Sequence, residues 1–163
     1  MTDGSAFVQL EEEFRQAFEM TVIDLPRNMM IAYPHMLSEV HNVVLVTELT
    51  LASARDAIRL LAAFKSTCPG ARVTLIANKV PPNGSEITRK DFETSIEHGI
   101  DLVVPLDMKL AVKAAKLGKC LAETARGTKV SAPLNKLVNI VMSTEVTDDE
   151  EAPNSVVAPK AAE

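Results

Sequence analysis

Two short runs of apolar, mostly β-branched residues, Asn42 to Thr47 and Arg72 to Ala77, flank a single amphipathic stretch, Leu51 to Ser66. Each run is too short and too continuous for a helix and reads as a strand buried on both faces. The stretch between them places Leu51, Ala54, Ile58, Leu61 and Ala62 on one stripe and Arg55, Asp56, Arg59 and Lys65 largely off it, and Pro69-Gly70 ends it. A strand, a helix and a strand in that order join by a right-handed crossover with parallel pairing. The expected fold is therefore α/β, a mostly parallel sheet covered by helices on both faces.

The alternation extends in both directions. Met20 to Leu25 reads as a further strand, preceded by a helix over Phe7 to Glu19, and Ile100 to Val104 as another, preceded by a helix over Thr88 to Glu97. Thr88 and Asp91 are placed to cap that helix reciprocally and Gly99 to stop it. Asp107 is placed to cap a helix through about Leu117, and Pro133 suits the first turn of a last helix presenting Leu134, Leu137, Val138 and Val141. Pro34 interrupts the segment from Asn28 to His41, for which no element is predicted. The loop Pro81 to Glu86, with its Pro-Pro-Asn-Gly, is the expected flexible interior stretch.

The 163 residues, 47% of them hydrophobic, suffice for one buried core. Residues 1–143 are expected to form one domain. The net charge of -5 has an informative distribution. From Thr144 onward there are six acids and one base, which account for all of it, and the preceding body balances 16 acids against 16 bases. A body without excess positive charge gives no reason to expect a nucleic-acid partner. Residues 144–163, acidic, proline-containing and without aromatics, read as a disordered tail. No apolar stretch approaches the roughly 18 residues that cross a bilayer, and the first residues lack a signal-peptide pattern, so a cytoplasmic address and no direct membrane insertion are expected. Cys68 and Cys120 are expected to be reduced thiols that pack as small apolar groups.

In open parallel sheets, ligands bind beyond the carboxyl ends of the strands. Asp24, Thr47 with Glu48, Asn78, and Asp107 occupy such positions. An acid closing an apolar strand is the pattern by which a Walker-B aspartate orients Mg²⁺ beside nucleotide phosphates, which makes Asp24 the candidate metal residue. A phosphate loop would need a Gly-rich turn with a lysine, and glycines five apart. The six glycines, at 4, 70, 84, 99, 118 and 127, never have that spacing. Asn78-Lys79 matches the start of the guanine-reading Asn-Lys-x-Asp, but Pro81 stands where the carboxylate belongs. Asp24, Thr47 and Lys79 resemble a receiver-domain phosphoacceptor site, but the pair of acids that it needs on an earlier strand is missing, since a helix precedes Asp24. His35, His41 and His98 lack metal-ligand spacing. Lys109, Lys113 and Lys116 read as a solvated helix face. No residue qualifies as catalytic.

Several segments taken in order resemble the CpaE/TadZ pilus-assembly proteins, a branch of the MinD/ParA-type P-loop ATPases with a deviant Walker A. They are Val22-Ile23-Asp24-Leu25-Pro26-Arg27, Val43-Val44-Leu45-Val46-Thr47-Glu48 with Ser53-Ala54-Arg55-Asp56-Ala57, and Leu75-Ile76-Ala77-Asn78-Lys79. Glu86 to Phe92, Ile100 to Asp107 and Ala114 to Lys119 follow. The resemblance implies a partial P-loop NTPase (Rossmann-like) fold, with residues 1–143 as the carboxy-terminal part of a MinD/ParA-like ATPase domain. It implies ATP and Mg²⁺ as ligands, with Asp24 as the Walker-B acid, Asn78 on the adenine edge and the turn from Pro105 to Asp107 bordering the base. Glu48 and Arg55 would lie on the nucleotide-facing rim. It also implies a role in assembly or localisation of a Flp/Tad pilus, at a cell pole, with pilus or secretion-assembly proteins, a second copy or a missing amino-terminal half as partners. Family members carry a Gly-rich loop with two lysines ahead of these segments. Without it the electrostatic stabilisation of phosphoryl transfer has no source, so turnover by this chain alone is not expected. The alternatives are a non-enzymatic interaction module and a remnant GTPase-like domain.

Overall fold

The computed structural model describes residues 4–143; the expected disordered tail lies outside the described residues. The elements are α1 (Gly4–Ala17), α2 (Arg27–Ala32), a 3-10 turn (Pro34–Leu37), β1 (Asn42–Thr47), α3 (Leu51–Thr67), β2 (Arg72–Val80), α4 (Arg89–Ile96), β3 (Leu102–Pro105), α5 (Met108–Leu117), α6 (Leu121–Thr124) and α7 (Ser131–Met142). The three strands form one parallel sheet in the order β1-β2-β3. This is the α/β architecture expected from the strand, helix, strand pattern.

Side-chain alternation on β2 divides the molecule into two cores. Leu75 and Ala77 face one way, into a cluster with α3, α4 and the 3-10 turn that includes Leu61, Phe64, Phe92 and Ile96. Ile76 faces the other way, with Leu102 and Val104 of β3, against Leu110 of α5, Val130, and the inner side of α7. The in-register pairing of Val46 with Ile76 puts Val46 on this second face. There the helical cover stops short: Val44 and Val46 are 38% and 56% exposed. The expectation of helices over both faces therefore fails at β1.

The run Met20 to Leu25 has no regular secondary structure and pairs with no strand among the described residues, so the expected first strand is absent. Its composition favours a strand, but a strand exists only through the hydrogen bonds of a neighbour, and none lies beside it. The stripe predicted for the crossover helix is also rotated. Ala54, Ala57, Leu61 and Phe64 are buried, whereas Leu51 and Ile58 are 56% and 45% exposed. The spacing 54, 57, 61, 64 follows the helix face that meets the sheet, and Cys68 continues it.

Caps set the helix boundaries. The side chains of Thr50, Thr88 and Asp107 accept from the backbone N–H groups of Ser53, Asp91 and Leu110. The Thr88 cap forms as predicted in one direction; in the other, the Asp91 carboxylate accepts from the Thr88 hydroxyl at 2.7 Å. Glu97, and not Gly99, takes the left-handed conformation that stops α4 (φ 54°), while Gly118 does so after α5 (φ 61°). Beyond α4, the Glu93 carboxylate accepts from Ile100 N–H at 2.8 Å and from Arg89 Nε at 2.9 Å. These contacts hold its carboxyl below the usual carboxylate range, the Ile100 hydrogen bond contributing most. Cys68 is buried, which pushes its thiol pKa up, but Cys120 is exposed and does not pack as predicted.

Candidate functional site

The carboxyl ends of the three strands carry most of the predicted site. β2 runs three residues beyond its predicted end, so Asn78 lies within it rather than after it. Between Ala77 and Val80 the β2-β3 register shifts: Ala77 pairs with Val103 and Val80 with Pro105. Two residues of β2 thus stand opposite one of β3, a bulge that bends the strand and re-aims its side chains. Asn78 and Lys79 are those two residues. Lys79 is left-handed (φ 53°), and its backbone N–H donates to Asn78 Oδ1 at 2.9 Å. That bond fixes the amide so that its nitrogen is the group left to meet an outside acceptor.

Lys79 Nζ in turn reaches Glu48 Oε1 at 2.8 Å, joining the ends of β1 and β2. On the other side Leu106 N–H donates to Val80 O at 2.9 Å, which lays the turn from Pro105 to Asp107 beside the bulge. Asp107 Oδ1 accepts from Leu110 N–H at 2.9 Å. Asp107 therefore has a structural duty as the cap of α5 that any role toward a base would share.

Asn78, Pro105 and Asp107 are thus brought to one edge of the sheet, with Glu48 and Lys79 beside them. Asp24 is not tied to them. It is exposed in the unpaired run, and among the described residues no hydrogen bond or ion pair links it to the strand ends. Arg55 is exposed on α3. Reading the sequence missed the Glu48–Lys79 pair and the bulge. The available signal was Asn-Lys followed shortly by Pro81-Pro82, which ends a strand without continuing its ladder.

The residues fit a nucleotide only in part. A fixed amide and a short turn at adjacent strand ends suit an adenine edge. The phosphate side has no such cradle: among the described residues, none of the turns from strand to helix (β1 to α3, β2 to α4, β3 to α5) is Gly-rich, and only Gly84 falls in one. No group of three or more His, Cys, Asp or Glu among the described residues is arranged to hold a metal ion. A Walker-B acid supplies one ligand beside phosphate oxygens, so Asp24 alone makes no site, and no hydrolytic step follows from this arrangement.

The parallel sheet flanked by helices is an α/β fold that resembles P-loop NTPases of the MinD/ParA type. Two solved structures share it: the MinD cell division protein of Aquifex aeolicus (TM-score 0.71, 17% identity over 86% of this chain) and a ParA family ATPase from Chlorobium tepidum TLS (TM-score 0.56, 24% identity over 64%). This chain spans 61% and 43% of those chains respectively. At these identities the likeness establishes the fold. No family model and no curated protein matches the chain. Among the described residues, no helix is long and apolar enough to cross a membrane.

Proposed function

We propose that this chain is an ATPase-like assembly factor of the CpaE/TadZ kind, which recognises an adenine nucleotide weakly through its base and does not hydrolyse it alone. In this reading it serves the placement of a Flp/Tad pilus machine in the cytoplasm, at a cell pole, through contacts with pilus or secretion-assembly proteins. The observation that carries it is the gathering of Asn78, Pro105 and Asp107 at the carboxyl edge of a MinD/ParA-like sheet. The ordered motif resemblance supplies the pilus role, and the shared fold supports only the nucleotide class.

Titration calorimetry with Mg-ATP tests it. Binding is expected to be weak and to fall about tenfold in Asn78→Ala, the loss of one hydrogen bond of about 1.4 kcal/mol. Equal heats for wild type and Asn78→Ala would remove the nucleotide reading. The lack of a Gly-rich turn among the described residues favours a second reading, a fold kept for protein contacts alone. That reading predicts no saturable heat with ATP or GTP. A remnant GTPase would instead prefer GTP, which Pro81 argues against.

A further inference from the structure

The even charge balance of residues 1–143 hides a division. Residues 1–107 hold nine bases and fifteen acids, whereas residues 108–143 hold seven bases and one acid, Glu123. A surplus of six positive charges therefore belongs to α5, α6, α7 and their loops. It is densest on α5 and the turn after it, where Lys109, Lys113, Lys116 and Lys119 follow one another with no acid among them.

α5 is thinly covered. Of its ten residues only Leu110 and Ala114 are buried, and Leu110 seats in the second core. Met108, Val112 and Leu117 are 62%, 48% and 55% exposed. At 3.6 residues per turn, Met108 and Val112 fall opposite Leu110 and Ala114, with Lys109, Lys113 and Lys116 beside them. With Leu117 these residues line one open concavity. Among the described residues, the ion pairs are made by Arg15, Arg27, Lys79 and Arg89, and none by these lysines. The acids that flank them in sequence are engaged elsewhere. Asp107 accepts from Leu110 N–H at 2.9 Å, and Glu123 accepts from Cys120 N–H at 3.2 Å.

The complementary charge lies in the same chain. Residues 144–163 hold six acids and one base, with Asp148, Asp149, Glu150 and Glu151 consecutive and Val156-Val157 after them. The segment begins where α7 ends, and Ile140, three residues before Ser143, packs against the same core as Leu110 of α5. Helices packed together lie about 10 Å apart, and the five to eight residues from Ser143 to the acid run reach roughly 17–28 Å when fully extended. The reach is sufficient. Tethering also holds the segment at an effective concentration on the order of mM, so a contact too weak to form between separate molecules forms within one.

We propose that residues 144–163 dock on the outer face of α5 of the same chain, Asp148 to Glu151 among Lys109, Lys113 and Lys116, and Val156 and Val157 on Met108 and Val112. The tail is favoured over an external polyanion because it is tethered beside the face and because its net charge of five negative offsets nearly all of the surplus there. Docking thereby hides a basic, apolar surface. The contact is exposed and electrostatic, so salt weakens it as the Debye length falls from about 10 Å at 0.1 M to about 3 Å at 1 M. Such docking is independent of nucleotide binding.

Carbodiimide coupling of the full chain tests it, since that reagent joins a lysine to a carboxylate only where the two touch. Peptide mass spectrometry of the monomer is expected to find links from Lys109, Lys113, Lys116 or Lys119 to Asp148–Glu151 at about 50 mM salt, falling at least about fivefold at about 0.5 M. A glutamate-specific protease supplies a second readout at Glu145, Glu150 and Glu151. The variant carrying Lys109→Gln, Lys113→Gln and Lys116→Gln, all exposed positions, should keep its circular dichroism and lose its tail to this protease about tenfold faster than wild type. Equal digestion rates, or tail links spread evenly over Lys65, Lys90 and the α5 lysines, would overturn the proposal. In a mixture of isotope-labelled and unlabelled chains, links are expected within one label only; hybrid links would put the tail on a second copy and overturn docking within one chain. Duplex DNA and phosphatidylserine vesicles should each bind the variant carrying Asp148→Asn, Asp149→Asn, Glu150→Gln and Glu151→Gln at least about tenfold more tightly than wild type. Equal binding would show that the face is already open, which also overturns the proposal.

Discussion

Lys79 holds Glu48 across the ends of two strands, Nζ to Oε1 at 2.8 Å, from a backbone conformation that lysine rarely adopts (φ 53°). The pair ties β1 to β2 where the fold class places its ligands. Both side chains are about half exposed, so solvent screening leaves the pair worth less than about 1 kcal/mol.

Two substitutions at Lys79 should therefore separate. Lys79→Ala loses the ion pair and keeps the left-handed strain, while Lys79→Gly loses the pair and relieves the strain. Lys79→Gly is expected to be more stable than Lys79→Ala by about 0.5–1 kcal/mol in urea unfolding, reversing the usual order of these residues. The usual order would mean that the bulge carries no strain.

Asp101 completes the ladder of a strand that has not yet begun. Its Oδ2 accepts from Leu75 N–H at 2.7 Å, and its own N–H donates to Leu75 O at 3.0 Å. Leu75 is fully buried, so Asp101→Ala leaves a buried donor unpaired and should cost about 1–3 kcal/mol. Asp101→Asn keeps an acceptor oxygen and should lose less. Denaturant midpoints of the three proteins check this order.

Glu93 should make stability depend on pH at the acid end. Its folded pKa lies below the unfolded value, so its contribution is present above the ordinary carboxylate range and fades as pH falls through the lowered folded value. Glu93→Gln should flatten this part of the curve, measured as melting temperature between about pH 2 and pH 6. An unchanged slope would place the effect on other carboxylates.

The two thiols should differ sharply in reactivity. Cys120 is exposed, whereas Cys68 is buried beneath α3 with its pKa raised by that burial, so less thiolate is present to react. One equivalent of Ellman's reagent is expected to react quickly and the second only on unfolding. Cys68→Ser should abolish the slow phase and leave the fast one.

The crossover of strand, helix and strand was legible because β-branched runs and a 3.6-residue stripe have different periods, and only one connection satisfies both. The caps at Thr88 and Asp107 were legible because they are local, each made within one turn. The face of α3 was misread, since Leu51 and Ile58 fit the periodicity as well as Ala57 and Phe64; which side meets the sheet depends on how the helix docks. Asn78 and Asp107 were singled out from their positions after apolar runs and Pro105 from the resemblance, and the structure puts the three at one edge of the sheet. The reach of Lys79 to Glu48 was hidden, because it crosses 31 residues and depends on the bulge at Asn78 and Lys79.

The sequence by itself determined the fold class and the three segments that form its parallel strands, because alternation, propensity and capping act over a few residues and agree with one another. Only the tertiary structure decided that Met20–Leu25, strand-like in every local respect, stands unpaired. Strand character is a property of residues, but a strand is a set of hydrogen bonds to a neighbour, and no neighbour stands beside this run among the described residues.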